Sequence, residues 1–304
     1  MARSNGKNKV VVVGAVGIDT NVYLYGDDID FSVEANFSQN LDYIGQAGGY
    51  SAQIFSTLGY DTAFVGFVGD DMGGREIRQK FSQVGIDISA LGIDPYGTKR
   101  SINFMYKDGR RKNFYDGRGS METKVNPDDY RHLFKDAKLA HFSIVNWARY
   151  LLPIAKEEGC TISCDIQDVV EPEDDYRQDF IHSADVLFFS SVNHENLSGL
   201  MKYFLSKGPK IVVAGRGKKG AAVATNDWIK TSAAIDEGPP VVDTNGAGDS
   251  LAVGFLVGHI IDGLPADRAI NYGHILARHC CTLRATTDAL LTRQKLDERL
   301  ALIT

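Results

Sequence analysis

Between a valine pair and a long apolar run, the chain reads Val242-Asp243-Thr244-Asn245-Gly246-Ala247-Gly248-Asp249-Ser250, followed by LAVGFLVGHII. A strand end, a glycine-rich turn and a helix start leave backbone N–H groups free at the positive end of a helix, so the segment is suited to hold an anion. Charge developing on a transferring phosphoryl group is one such anion. Asp249 then has two readings. It is a base that accepts the proton of an attacking hydroxyl, or a first-turn acid that stabilises its helix by about 1 kcal/mol.

Strands must bring such a turn to a sheet edge. Residues 9–14, Lys9-Val10-Val11-Val12-Val13-Gly14, form a β-branched run stopped by glycine, which reads as a strand buried on both faces of a parallel sheet. Similar runs recur at 62–67, 139–144, 161–165, 186–189 and 211–214, with amphipathic stretches at 73–84, 151–158 and 197–207. Strands alternating with helices at that spacing imply right-handed βαβ units and a doubly wound, mostly parallel sheet in three α/β layers. No internal repeat, low-complexity tract or proline-rich linker interrupts the chain, so residues 1–304 are expected to form a single domain.

Two segments, about 20–45 and 97–119, break the alternation, and SINFMYKDGRRKNFY alternates around Asp108-Gly109 as a hairpin would. Together they are expected to make a small β lid over the active edge of the sheet, where open α/β folds bind ligands. A surface hairpin or a dimerisation sheet is the plainer alternative. The aromatic residues there, Tyr23, Tyr25, Phe104, Tyr106, Phe114 and Tyr115, serve equally well as that sheet's own small core.

Composition narrows the function classes. With 43% hydrophobic and 24% charged residues, a full core is available and a disordered or fibrous chain is excluded. The net charge of −6 and the lack of any run of five like charges give no footprint for nucleic acid or an anionic membrane. No apolar stretch approaches the roughly 18 residues of a membrane span, and MARSNGKNK lacks a following h-region, so a cytoplasmic location is expected. Cys160, Cys164, Cys280 and Cys281 lack zinc spacing and read as buried thiols. Gly215-Arg216-Gly217-Lys218-Lys219-Gly220 matches GxGxxG, but AAVATNDWIK after it reads as a strand, where a dinucleotide site needs a helix.

Asp243-Thr244-x-Gly246-Ala247-Gly248-Asp249, with Gly254 five positions on, resembles the C-terminal signature of the ribokinase-like (PfkB) carbohydrate kinases. The N-terminal signature is recognisable in Gly48-Gly49-Tyr50-Ser51-Ala52-Gln53, then Leu58-Gly59 and FVGFVGDDMGGREIRQKFSQVGID, about 190 residues earlier. The resemblance covers essentially the whole chain. It implies a ribokinase-like fold and an ATP-dependent phosphotransferase that phosphorylates a primary hydroxyl of a sugar or sugar-containing metabolite. A nucleoside kinase of the same fold and a non-catalytic ligand-binding relative are the alternatives.

Roles follow by position. The resemblance implies that Asp249 is the catalytic base, that the backbone of Asn245, Gly246, Ala247 and Gly248 cradles the phosphates, and that Asp243 organises the surroundings of magnesium and a monovalent cation such as K+. Gly14-x-x-Gly17-x-Asp19 is similar to a segment whose aspartate grips sugar hydroxyls, which makes Asp19 the substrate anchor. Gly48 and Gly49 allow backbone to approach substrate closely, or take positive φ in a plain tight turn. Gly217 and Gly220 would line the nucleotide, with adenine beside Gly273, Ala277 and Cys280, all of which are also ordinary helix-packing residues.

Departures exist. Gln53 stands where the family commonly has asparagine, so acceptor shape should differ by about one methylene. The usual Asn-x-x-Glu is hard to place in SSVNHENL, where Glu195, with Asn193 nearby, is the best metal-side acid. Arg100, Arg110, Arg111, Lys112 and Arg118 either recognise a substrate phosphate or acid, or form a solvated hairpin. Expected partners are therefore ATP, Mg2+ and a sugar or nucleoside, and a second copy of the chain through the lid.

Overall fold

The computed structural model describes residues 9–108, 110–284 and 289–302. Residues 1–8 and the hairpin residue Gly109, on which two expectations rested, lie outside that set. In chain order the strands are β1 (Lys9–Val13), β2 (Gly17–Leu24), β3 (Ser38–Gly45), β4 (Asp61–Val68), β5 (Asp87–Ile93), β6 (Lys99–Met105), β7 (Arg111–Asp116), β8 (Leu139–Ser143), β9 (Thr161–Asp168), β10 (Val186–Ser190), β11 (Ile211–Gly215), β12 (Ala221–Ala224) and β13 (Ile229–Ser232). The α-helices are α1 (Ala47–Thr57), α2 (Met72–Gln83), α3 (Arg131–Phe134), α4 (Leu152–Glu157), α5 (Asp175–Ser183), α6 (Leu197–Ser206), α7 (Ala247–Leu256), α8 (Ala266–Cys281) and α9 (Arg293–Leu300).

Nine strands form one sheet in the order β13-β12-β11-β10-β9-β8-β1-β4-β5. From β5 to β11 every pairing is parallel, and β12 and β13 add an antiparallel edge. The valine run of β1 shows why both faces are covered. Val10 and Val12 join a core with Phe55 of α1, Phe81 of α2 and Phe255 of α7. Val11 and Val13 point the other way, into a core with Phe134, Phe180 and Phe204. Successive side chains of a strand face opposite sides, so an unbroken apolar run requires helices on each, which is the three-layer architecture.

After Gly220 the chain enters β12, which pairs back on β11 as a hairpin. No helix starts there, so the GxGxxG segment is not a dinucleotide fingerprint. None of the four cysteines forms a disulfide. Among the described residues no three of His, Cys, Asp or Glu gather to hold a metal ion. No described helix is long and apolar enough to cross a membrane.

The two segments that break the alternation make a separate four-stranded sheet in the order β3-β2-β6-β7. β2 pairs antiparallel with β3 and parallel with β6, and the register puts Asp19 beside Tyr43 and Ser101, and Asn21 beside Leu41 and Asn103. Asn103 in turn stands opposite Asn113 on β7. One face therefore collects polar residues from distant parts of the chain.

Candidate active site

The turn before α7 is shaped by its glycines. Gly246 caps the helix with φ at 74°, and a side-chain carbon there would stand 2.9 Å from the Tyr50 ring, so backbone conformation and space both demand glycine. The Asn245 N–H donates to Asp243 Oδ1 at 2.8 Å, which tightens the turn from within. Gly248 is exposed, with open space where a side chain would be. First-turn N–H groups lack intrahelical acceptors, so this opening at the positive helix end is a place for an anion.

Asp249 lies in that first turn. The residue keeps part of its surface open, but its carboxyl is packed round by protein. Burial, then the negative charges of Asp165 and Asp19, hold its pKa well above the usual carboxylate range, against the opposing pull of Arg111. Asp165 is buried at the C-terminal part of β9, and burial raises it to about 6. Sequence reasoning did not single out Asp165. The only signal was its place at the end of a strand run, where α/β sheets carry their chemistry.

Asp243 is spent on hydrogen bonds. Besides Asn245 N–H, its carboxylate accepts from Asn21 Nδ2 at 2.5 Å and from the Tyr23 hydroxyl at 2.8 Å, both on β2. Burial raises its pKa, and the Asn245 N–H, the Tyr23 hydroxyl and the charge of Arg111 pull it back. Asn103 Nδ2 donates to Asn21 Oδ1 at 2.9 Å, and Asn113 Nδ2 donates to Asn103 Oδ1 at 2.8 Å. A ladder of three asparagines thus crosses β7, β6 and β2 and ends on the acid that holds the glycine turn. Asn245 adds a 3.2 Å bond to Asn21, and Arg111 reaches from β7 to donate to Asn245 Oδ1.

Asp19, one rung along β2, is buried, and burial raises its pKa. Its carboxylate accepts from Gln46 Nε2 at 2.5 Å and from the Tyr50 hydroxyl at 3.1 Å. Gln46, just before α1, was not expected there. Gln53, which was, is buried behind Gly49, and its amide nitrogen donates to the Gly49 carbonyl at 3.0 Å while its Oε1 has no partner among the described residues. Gly48 and Gly49 sit in the first turn of α1 rather than in a loop. Neither has positive φ. A side-chain carbon at Gly48 would lie 2.7 Å from the Ala15 carbonyl oxygen, and one at Gly49 would lie 3.0 Å from Val16 Cγ2, so both glycines let α1 close on the segment after β1.

Other expected residues are more dispersed. Gly217 and Gly220 bound a short 3-10 turn between β11 and β12, both with positive φ. Gly273 on α8 meets α7: a side chain there would strike the Leu251 carbonyl oxygen at 2.6 Å, which gives it a helix-crossing reason. Ala277 packs partly buried against the same core. Glu195 is exposed before α6, whose cap is Asn196. Of the cationic cluster only Arg111 reaches the turn. Arg100 donates to Thr20, Arg110 pairs with Asp108 and Asp28, Lys112 lines the opposite face and Arg118 pairs with Asp116.

Residues 7–293 match the pfkB family carbohydrate kinase. The acarbose 7(IV)-phosphotransferase of Actinoplanes is 28% identical over 291 residues, covering 94% of this chain and 96% of the relative. A microbiome-derived acarbose kinase superposes with a TM-score of 0.86 at 30% identity, over 97% of this chain and 99% of that one. Arabidopsis thaliana ribokinase, complexed with ribose and ATP, gives a TM-score of 0.81 at 19% identity over 96% and 98% of the two chains, a likeness of fold. The chain thus belongs to the pfkB family of carbohydrate kinases, and it is an ATP-dependent enzyme that phosphorylates a sugar hydroxyl.

Proposed function

We propose that the acceptor is a neutral, polyhydroxylated sugar bound between the inner face of the smaller sheet and the Gly246–Asp249 turn, and that Asp249 takes the proton from its primary hydroxyl. The observation that carries this reading is the row Asp19, Asn21, Ser101, Asn103 and Asn113, amides, hydroxyl and acid, with two guanidiniums beside it that are already engaged, Arg111 with Asn245 and Arg284 with the Tyr23 ring and Gln39. Carboxylate and amide groups pair well with sugar hydroxyls. A phosphorylated or acidic acceptor calls for guanidinium or ammonium groups free to pair with it, and both of these guanidiniums are already engaged. Asp19 anchors hydroxyls in this reading, and Gln53, buried behind Gly49, acts on the acceptor only through the backbone of Gly48 and Gly49.

The γ-phosphoryl group sits over Gly246, Ala247 and Gly248, with the rest of the nucleotide along Gly217, Gly220, Gly273 and Ala277. Magnesium suits the site in one respect. It keeps waters and phosphate ligands and needs only one or two protein carboxylates, and Asp165 and Asp249 are neighbouring acids held up by burial, with the charge of Asp165 raising Asp249 further. Asp243, filled by three donors, organises the turn and is a poor metal ligand as it stands, and Glu195 is reserved for an outer role. K+ activation is an open prediction of the resemblance. The smaller sheet closes over the reactants as a lid, which excludes water as a competing nucleophile. We place the enzyme in the cytoplasm.

The outer face of the same sheet is apolar, with Ile102 and Phe114 exposed at 43% and 56% and Phe31 nearby at 90%. We propose a second copy of the chain as the occupant of this face. Sedimentation of the protein, with a dimer expected and Phe114→Ser shifting it to monomer, tests that.

ATP consumption measured against sugars, sugar phosphates, nucleosides and acarbose tests the acceptor class. Acarbose is included because two relatives are named for it. Turnover on neutral sugars well above that on sugar phosphates supports the reading. Preference for a sugar phosphate or a nucleoside overturns it.

A further inference from the structure

Gln46 is one of four described non-glycine residues with positive φ, and its pair of angles, φ 67° and ψ 154°, falls in a region that is essentially glycine's own. A glycine at this place would relieve the strain. The helix gains nothing from the side chain as a cap, since it makes no capping hydrogen bond to α1. What the conformation does secure is the position of the amide. Nε2 donates to Asp19 Oδ1 at 2.5 Å and to Ser101 Oγ at 2.8 Å, while the backbone N–H lies 3.4 Å from Asp19 Oδ2.

We propose that Gln46 is a specificity-determining residue for the acceptor, its strained backbone holding an amide that, with Asp19, reads a pair of donor hydroxyls. The proposal rests on the reading that Asp19 binds the acceptor. A carboxylate must be faced by donors, so the NH2 side of the amide is turned toward Asp19, and Oε1 is the side left over. Both hydrogens are committed, to Asp19 and to Ser101. The group that Gln46 offers a ligand is therefore an acceptor oxygen set beside the remaining lone pairs of Asp19. Two adjacent acceptors select two adjacent donors, as neighbouring hydroxyls of a sugar provide, and they disfavour a phosphate, carboxylate or keto oxygen at the same point, which would leave both acceptors unpaired. Gly45 fits the same arrangement, because a side-chain carbon there would lie 2.1 Å from Asp19 Oδ2.

The test compares Gln46→Gly with Asp19→Asn, assayed by ADP release with D-ribose, D-fructose and acarbose as acceptors, alongside the melting temperature of each variant. Gln46→Gly is expected to leave the Tm unchanged or raised, because strain is relieved. It should raise KM for the preferred acceptor about tenfold, alter the ranking of the three acceptors, and leave KM for ATP within about twofold. A residue that merely shapes the entry to α1 would behave oppositely. A Tm lower by several degrees, or equal losses for acceptor and ATP, overturns the proposal, and the Tm comparison requires no acceptor at all. If Asp19→Asn raises the acceptor KM and Gln46→Gly does not, the role of Gln46 fails alone. If Asp19→Asn leaves acceptor KM unaltered, the underlying placement of the acceptor falls first.

Discussion

The two faces of the smaller sheet are made by the same strands, yet they carry opposite chemistry. On the inner side the alternating residues are Asn21 and Tyr23 on β2, Asn103 on β6 and Asn113 on β7, tied through the ladder to Asp243, and Asp19 and Ser101, joined through Gln46. On the other side Val22, Leu24, Phe104 and Phe114 line a shallow groove, where Phe104 and Phe114 meet edge to face at 5.8 Å. Alternation with a period of two makes this possible within a few residues of chain. In the proposed reading the inner face bears on reactivity because its asparagines end on Asp243, the acid that shapes the glycine turn. The outer face has no such connection, and substitutions there should leave turnover alone.

The largest expected effect falls where the inner network meets the helix. Asp249→Asn should keep the helix without lowering the Tm while reducing kcat by about two to four orders of magnitude, the usual worth of a general base. Near-normal turnover with the preferred sugar would remove Asp249 from the chemistry.

A smaller effect concerns pH. The base must be deprotonated, so a raised Asp249 pKa places the acid limb of kcat/KM above the range of an ordinary carboxylate. Asp165→Asn removes the neighbouring charge and should shift that limb to lower pH. The same variant should bear on stability. A carboxyl raised in the fold contributes stability that is fully present below its unfolded pKa near 4 and lost as pH rises through about 6. Asp165→Asn should therefore melt higher than the parent at pH 8, by several degrees, and nearly with it at pH 4.5. An unmoved acid limb would separate Asp165 from Asp249.

The smallest effect tests the link between strand and turn. Tyr23→Phe deletes one 2.8 Å hydrogen bond to Asp243, worth about 0.5–1.5 kcal/mol, so kcat/KM should fall about threefold to tenfold. No change would mean that Asn21 and the Asn245 N–H hold Asp243 without it.

These residues were unequally legible in the sequence. The turn from Asp243 to Asp249 is contiguous, and its glycines and acid announce an anion site at a helix start without any tertiary knowledge. Asp19 stood out only through the resemblance of its Gly14-x-x-Gly17-x-Asp19 segment. The asparagine ladder was not legible. Asn21, Asn103 and Asn113 come together only through the register of β2, β6 and β7, and a shift of one residue would turn each to the other face. Gln53 and Gln46 show the same limit within seven residues. Helical phase alone could not tell that the amide at 53 is drawn back onto Gly49, or that the backbone at 46 takes a glycine-like conformation to face Asp19. Gly273 had a readable reason of the plainer kind, a helix crossing.

Ile102 and Asn103 are neighbours on β6 that face opposite ways, and substituting each in turn tests the division between the faces most directly. Asn103→Ala breaks the ladder at its middle, so kcat/KM for the preferred sugar should fall about tenfold or more, as expected for buried partners left unsatisfied. Ile102→Ala, on the outer side, should leave kcat/KM within about twofold. Comparable losses from both, or a larger loss from Ile102→Ala, would contradict the account.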